Sequence, residues 1–393
     1  MTPDVLFVAG TRTAIGDFGG GLKDVPPTRL GTICIAEAIR RAGVDPAAVQ
    51  HVVMGHVIHS EARDAYLARV AAVDAGIPVE TPALTVNRLC GSGLQAIISA
   101  AQTILLGDAD VAVAGGAESM SRGGFLLPAL RWGARLGDAG AVDMVVGALH
   151  DPFGHGHMGI TAENVAERAG IDRAAQDAFA AESHARAARA IAEGRFADQI
   201  VPVEIKTRRG TTLFTTDEHV RADATAAQLA GLKPAFRKDG TVTAGNASGI
   251  NDGAAAVVLM NGAAAARHGC TPLARLVAYA HAGVAPEVMG LGPIPAVQRV
   301  MQRAGLRVAD MDVIESNEAF AAQACAVARD LGFPPERTNP NGGAVALGHP
   351  IGATGAILAV KTIAELQRTG GRYGLITMCI GGGQGIAAIV ERV

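Results

Sequence analysis

Three side chains in this 393-residue sequence have types suited to acyl chemistry, Cys90, His349 and Cys379, with Asn317 as a polar companion. Cys90 lies in Asn87-Arg88-Leu89-Cys90-Gly91-Ser92-Gly93-Leu94, between an extended apolar run at 83–86 and a Gly/Ala-rich helical run to about residue 106. A cysteine at the first turn of a helix meets outward-pointing N–H groups and the positive end of the helix dipole, which favour the thiolate. Lowering a free thiol from about 8.5 to about 7 needs about 2 kcal/mol, which a helix start and a neighbouring histidine can supply. Gly91 and Gly93 leave room for a substrate carbonyl to approach and accept a backbone N–H. A lone cysteine is more often a small apolar filler, so the case depends on what else is delivered to it.

The elements that would deliver those partners recur. Residues 5–9 read as a strand, 30–42 as a helix closed by Gly43, and 51–57 as a second strand ending at His56 and His59. The helix after Cys90 closes at Gly107, and 110–114 is a strand running into Gly115-Gly116-Ala117-Glu118-Ser119. In the second half, 273–278 echoes 5–9, 313–317 echoes 51–57, 348–366 echoes 90–106, and 375–379 followed by Gly381-Gly382-Gly383 echoes 110–116. The equivalent turns then carry Cys90 in one half and His349 in the other, with Cys379 and Asn317 at further strand ends. Strand ends of a duplicated core that face each other form a natural pocket. Strands separated by helices predict an α/β fold with a largely parallel sheet.

Residues 120–243 differ in texture, holding the only Trp, Trp132, and an Arg-rich helix over 172–193 with Asp172 as its N-cap. They read as an insertion over the core. The expected domains are therefore 1–119 with 244–270 as the N-terminal half, 120–243 as an inserted loop domain, and 271–393 as the C-terminal half.

Two cysteines point past hydrolysis. With Cys90 holding an acyl group, a separate base could take the proton α to the carbonyl of a second thioester, whose enolate needs an oxyanion site. Cys379, the N–H groups of Gly381 to Gly383, and His349 with Asn317 as polarising donors fit those roles.

Composition narrows the setting. A hydrophobic fraction of 49%, 50 glycines, and 18% charged residues suit a compact α/β protein. A net charge of −3 leaves no basic footprint for nucleic acid or an anionic membrane. The N-terminal ten residues hold too short an apolar run for a signal segment, and no stretch reads as a membrane span. The five cysteines, Cys34, Cys90, Cys270, Cys325 and Cys379, include no C-x-x-C pair, which argues against disulfides or a zinc site and for a reducing, cytoplasmic setting. His56 and His59 have no third ligand nearby and read as polar loop residues.

The blocks LCGSGLQA at Cys90, NEAFAAQ from Asn317, NPNGGAVALGHPIGATG from Asn339 and CIGGGQG from Cys379 resemble, in order, the four signature blocks of the thiolase family, nearest its bacterial biosynthetic branch. The resemblance implies a duplicated five-layer αβαβα core, an inserted loop domain and usually a homotetramer. It implies reversible Claisen condensation of two acyl-CoA molecules, in the usual case two acetyl-CoA giving acetoacetyl-CoA and CoA by ping-pong kinetics. Coenzyme A enters as substrate, with no tightly bound cofactor and no metal. Cys90 becomes the acylated nucleophile, His349 its activator, and Cys379 the acid/base for the α-proton. Asn317 would hold a water in the first oxyanion site; the N–H groups of Cys90 and Gly381 would form the second. His157, Met158, Arg221, Ser248, Ala319 and Phe320 match family positions around coenzyme A. The segment Phe153-Gly154-His155-Gly156 lacks the aromatic that acetyl-selective relatives often carry, which predicts tolerance of acyl chains longer than acetyl and keeps a broader 3-ketoacyl-CoA thiolase as the alternative.

Three rivals remain at this stage. Gly91-Ser92-Gly93-Leu94-Gln95-Ala96 satisfies G-x-G-x-x-[G/A] between strand and helix, as an NAD-dependent dehydrogenase would require, and Gly154-His155-Gly156-His157-Met158-Gly159 is a second formal match without a preceding strand. A decarboxylating ketoacyl synthase resembles the architecture but lacks a basic cysteine in a CIGGGQG block. A silent acyl-CoA-binding protein would not need every reactive position filled.

Overall fold

The computed structural model describes residues 4–208 and 210–393, so residues 1–3 of the N-terminal segment lie outside the described residues. The first half runs β1 (Leu6–Arg12), α1 (Pro27–Ala42), β2 (His51–Gly55), α2 (Leu67–Asp74), β3 (Ala83–Val86), α3 (Ser92–Leu106) and β4 (Val111–Ser119). α1 starts on a proline, whose missing N–H has no helical partner to lose, and stops at Gly43 in the left-handed region. Residues 120–243 form short two-stranded ribbons and helices, among them α4 (Met158–Ala169) and α5 (Arg173–Ala192). Asp172 caps α5 by accepting from the Ala175 N–H at 2.8 Å. Then follow β5 (Asn251–Met260), β6 (Ala274–Gly283), α6 (Pro293–Ala304), β7 (Val313–Ser316), α7 (Ala321–Leu331), α8 (Thr354–Thr369), β8 (Tyr373–Ile380) and β9 (Gln384–Arg392).

The strands lie in the order β7-β8-β9-β6-β1-β5-β4-β2-β3. The halves meet where β1 pairs with β6 through Leu6↔Arg275 and Phe7↔Ala274. On either side of that seam the order is the same, β6-β9-β8-β7 matching β1-β5-β4-β2. Thr338 bridges Ile314 in parallel where the first half has β3 beside β2. The internal echo therefore extends to β5 and β9, a pair the sequence comparison did not include.

The expectation of a largely parallel sheet is corrected. Among the described residues, the parallel strand pairs of the sheet are β2 with β3, β2 with β4, and β7 with β8. In the second half Gly381 to Gly383 turn the chain straight back from β8 into antiparallel β9, with Gly382 and Gly383 at φ 80° and 87°. In the first half the equivalent link is the long insertion, which returns the chain antiparallel as β5.

Five layers follow from where the apolar faces go. α1 and α2 cover one face of the first-half strands, α6 covers the outer face of the second-half strands, and α3 with α8 fill the space between the two. α8 touches strands of both halves and is buried almost all round, as a helix between two sheets must be. One expectation needs amending: Leu89–Leu106, with mean hydropathy 1.5, is long and apolar enough to cross a membrane by composition. Its apolar character is accounted for by the packing of α3 against α8, β2 and β4.

Candidate active site

The central helices bring the reactive turns together by touching backbone to backbone. A Cβ at Gly93 would stand 2.7 Å from the Ala356 nitrogen, and one at Gly355 would stand 2.3 Å from the Leu94 nitrogen. These glycines, one in each half, let the starts of α3 and α8 meet with no side chain between them. Gly93 therefore serves helix contact rather than substrate approach, and the Gly91 N–H already donates to the Arg88 carbonyl at 3.0 Å. The dinucleotide reading fails on the same ground, because its second glycine is pressed against α8.

Cys90 lies two residues before α3 rather than inside its first turn, behind Leu89 at φ 46°. A left-handed leucine costs about 1–2 kcal/mol, held here by the Ser92 hydroxyl, which donates to Leu89 O at 2.7 Å and accepts from Arg88 N at 2.8 Å. His349 precedes α8, and Cys379 is fully buried near the end of β8.

All three line one cavity of ≈ 430 Å³, together with Gly381, His157, Met158, Arg221, Ser248, Ala319 and Phe320. The backbone N–H groups of Gly381 and of Cys90 itself lower the Cys90 thiol pKa. Asn317 is the exception: it follows β7, is fully buried and does not line the cavity. Among the described residues, neither its amide oxygen nor its amide nitrogen has a hydrogen-bond partner. Leaving such a group unpaired costs about 1–3 kcal/mol.

The electrostatics differ from the expected thiolate. Burial pushes the Cys90 thiol up, opposed by the Gly381 N–H, and burial followed by the proximity of Cys90 pushes the Cys379 thiol up. Burial lowers His349 to about 4, so its ring is neutral near pH 7. Its tautomer follows from its neighbour. The Thr354 hydroxyl donates to Pro350 O at 2.9 Å, leaving its oxygen to accept from His349 Nδ1 at 2.7 Å. The proton is therefore on Nδ1, and buried Nε2, without a hydrogen-bond partner among the described residues, presents a lone pair.

The far end of the cavity is built by the insertion. His157 caps α4, its Nδ1 accepting from the Gly159 N–H at 3.0 Å, which leaves Nε2 to carry the proton. Phe236, which no motif singled out, stacks on His157 with centroids 4.8 Å apart and meets Phe320 edge-on at 6.2 Å. A Cβ at Gly159 would lie 2.3 Å from that ring, so the glycine after Met158 was its only trace in the sequence. Ser248 N donates to Ala319 O at 3.0 Å, fastening the 244–249 segment to the strand end that carries Asn317. Arg221 is exposed, and among the described residues its guanidinium has no ion-pair partner. Also missed were Leu89, Met120, Leu149 and Ile351, apolar walls around Cys90, and His219 near Arg221. Phe153 is 67% exposed and stands outside the cavity.

His56, expected as a polar loop residue, is buried and stacks on His59 at 5.3 Å. Among the described residues, no group of three or more His, Cys, Asp or Glu is placed to hold a metal ion.

Two thiols and a neutral imidazole lining one apolar-walled cavity on a duplicated α/β scaffold define the class as an acyltransferase. A family model described as thiolase, N-terminal domain, matches residues 5–263, and one described as thiolase, C-terminal domain, matches residues 270–392. The chain is 64% identical to Beta-ketothiolase BktB of Cupriavidus necator and 51% identical to an acetyl-CoA acetyltransferase of Syntrophomonas wolfei, covering 100% of each chain in both cases. Among solved structures it is similar to the Bacillus anthracis acetyl-CoA acetyltransferase, with a TM-score of 0.98 and 48% identity over 100% of this chain and 99% of that one. Human mitochondrial 3-ketoacyl-CoA thiolase in complex with CoA gives 0.97 and 44%, over 100% and 98%. The chain belongs to the thiolase family.

Proposed function

We propose that the protein is an acetyl-CoA C-acetyltransferase, joining two acetyl-CoA into acetoacetyl-CoA and free CoA, reversibly, through an acyl-Cys90 intermediate. The observation that carries this reading is the meeting of Cys90, His349, Cys379 and Gly381 in one cavity, with the Gly381 N–H lowering the Cys90 thiol pKa. His349 Nε2 takes the thiol proton as the sulfur attacks the thioester carbonyl, and that proton leaves with the departing CoA sulfur. The N–H groups of Cys90 and Gly381 stabilise the oxyanion on the acyl group held by Cys90. Asn317, through a water, polarises the carbonyl of the second thioester. Once CoA has left, Cys379 passes its thiol proton to His349 Nε2 and, as the thiolate, removes the α-proton; the new carbon–carbon bond forms as the Cys90–acyl bond breaks, and the Cys90 sulfur so released takes the proton back from His349.

His157, Met158, Ser248, Ala319 and Phe320 border the pantetheine arm, and Arg221 meets the nucleotide phosphates, with residues 120–243 acting as the lid. CoA is then substrate, and no tightly bound cofactor is required. A homotetramer belongs to the same reading, supported by the exposed Phe125, Leu130, Trp132 and Leu136 of the insertion. So does a cytoplasmic location, supported by five free cysteines.

Two tests arise here. Thr354→Val removes the acceptor that fixes the His349 tautomer and is expected to slow acylation about tenfold, with Thr354→Ser restoring it; stopped-flow measurement of CoA release decides, and an unaffected Thr354→Val contradicts the assignment. The second concerns chain length. The walls formed by Leu89, Met120, Leu149 and Ile351 favour acyl groups beyond acetyl, so thiolysis of the five- and six-carbon 3-ketoacyl-CoA substrates is expected to persist. Collapse of the rate beyond acetoacetyl-CoA would restrict the enzyme to acetyl transfer.

A further inference from the structure

We infer that Glu118 is a positioning residue that fixes the His349 turn of the second half against the first half, and so sets His349 relative to Cys90. Glu118 is fully buried near the end of β4. Its Oε1 accepts from Ile58 N at 3.1 Å, and its Oε2 accepts from Val57 N at 3.1 Å and from Gly352 N at 2.9 Å. The first two donors belong to the first half. The third lies three residues after His349, in the turn that leads into α8.

His56 Nδ1 donates to Ala117 O at 2.9 Å and lies 3.2 Å from the same carboxylate. The fit leaves no slack. A Cβ at Gly352 would lie 2.5 Å from Glu118 Oε2, and one at Gly116 would lie 2.1 Å from Gly352 O. At the other end of the turn, His349 N donates to Asn251 Oδ1 at 2.9 Å. Side chains of the first half thus grip the His349 turn at both ends, and that half also carries Cys90.

Glu118 does not line the cavity, so it acts through the turn rather than on substrate. A carboxylate offers acceptors only, which suits the three backbone N–H groups that converge on it. Burial raises the carboxyl, and the N–H groups of Ile58, Gly352 and Val57 oppose that shift; with three donors on its two oxygens, the geometry fits the carboxylate. The isosteric amide of Glu118→Gln would turn an NH₂ toward at least one of those donors, so the turn has to move. Displacing a catalytic group by a fraction of an ångström slows chemistry without loosening substrate.

Glu118→Gln is expected to lower kcat about tenfold or more, with KM for acyl-CoA within about twofold of the parent. The decisive readout is the rate at which iodoacetamide alkylates Cys90, followed by peptide mapping in a cycle with His349→Ala. Glu118→Gln should slow alkylation when His349 is present and add nothing when it is absent. Equal slowing in both backgrounds, or unchanged turnover, overturns the inference. Glu118→Asp keeps the charge but shortens the reach, and runs through the same cycle with the same expected pattern should the amide variant not fold. The inference rests on His349 acting upon Cys90. Unchanged alkylation in His349→Ala alone would defeat that reading and the inference with it, a result distinct from equal slowing in the cycle.

Discussion

Cys90→Ser is expected to abolish both directions of the reaction, lowering kcat by at least about 10³-fold while leaving the fold intact. The Cys90 sulfur is acted on by two backbone N–H groups, those of Gly381 and of Cys90 itself. A serine keeps the size but offers a hydroxyl far harder to deprotonate than a thiol, in a site where burial already disfavours the anion. His349, neutral and lowered to about 4, cannot make up that difference. Both half-reactions pass through the same acyl group, so exchange of labelled CoA into acetyl-CoA and thiolysis of acetoacetyl-CoA should fall together. Retention of either one would show that the acyl group is carried elsewhere.

Cys379→Ser should separate the two half-reactions. Carbon–carbon bond formation is expected to fall about 10²–10⁴-fold, the usual worth of a positioned acid/base, while acylation of Cys90 stays within about tenfold. The asymmetry follows from position. Cys379 is fully buried on the Cys90 side of the cavity, its thiol is pushed up by burial and by Cys90, and a thiol of high pKa gives a strong base once ionised. Acylation needs only Cys90, His349 and the two N–H groups. A burst of CoA release with no subsequent turnover is the expected trace, and equal loss of both steps contradicts the role given to Cys379.

What could be read directly from residues was local. Asp172 before the Arg-rich segment predicts the start of α5, Gly43 and Gly107 predict helix ends, and the glycine-flanked Cys90 marks a strand-to-helix turn, all as found. The internal echo carried further, because two stretches of like order must find like places, and it brought Cys90 and His349 to one cavity. Strand direction was not accessible in the same way. A hairpin through Gly381 to Gly383 and a return through a long insertion both look like a gap between apolar runs, yet each makes the sheet antiparallel. Properties that arise only on burial were hidden as well. Cys90 stands two residues before α3, and desolvation outweighs the N–H groups that face its sulfur and raises its pKa. Glu118 and His56 look like surface residues until β2, β4 and the α8 turn close over them. Phe236 has no periodicity to announce it, because its place is set by a ring contact with His157, 79 positions earlier.

The most direct measurement is peptide mapping of the wild-type enzyme quenched in acid within milliseconds of mixing with acetyl-CoA. The account predicts one acetyl group per chain, on the peptide containing Cys90, removed when free CoA is added before the quench. An acetyl group on Cys379 or elsewhere, or an unmodified chain during steady turnover, would contradict it.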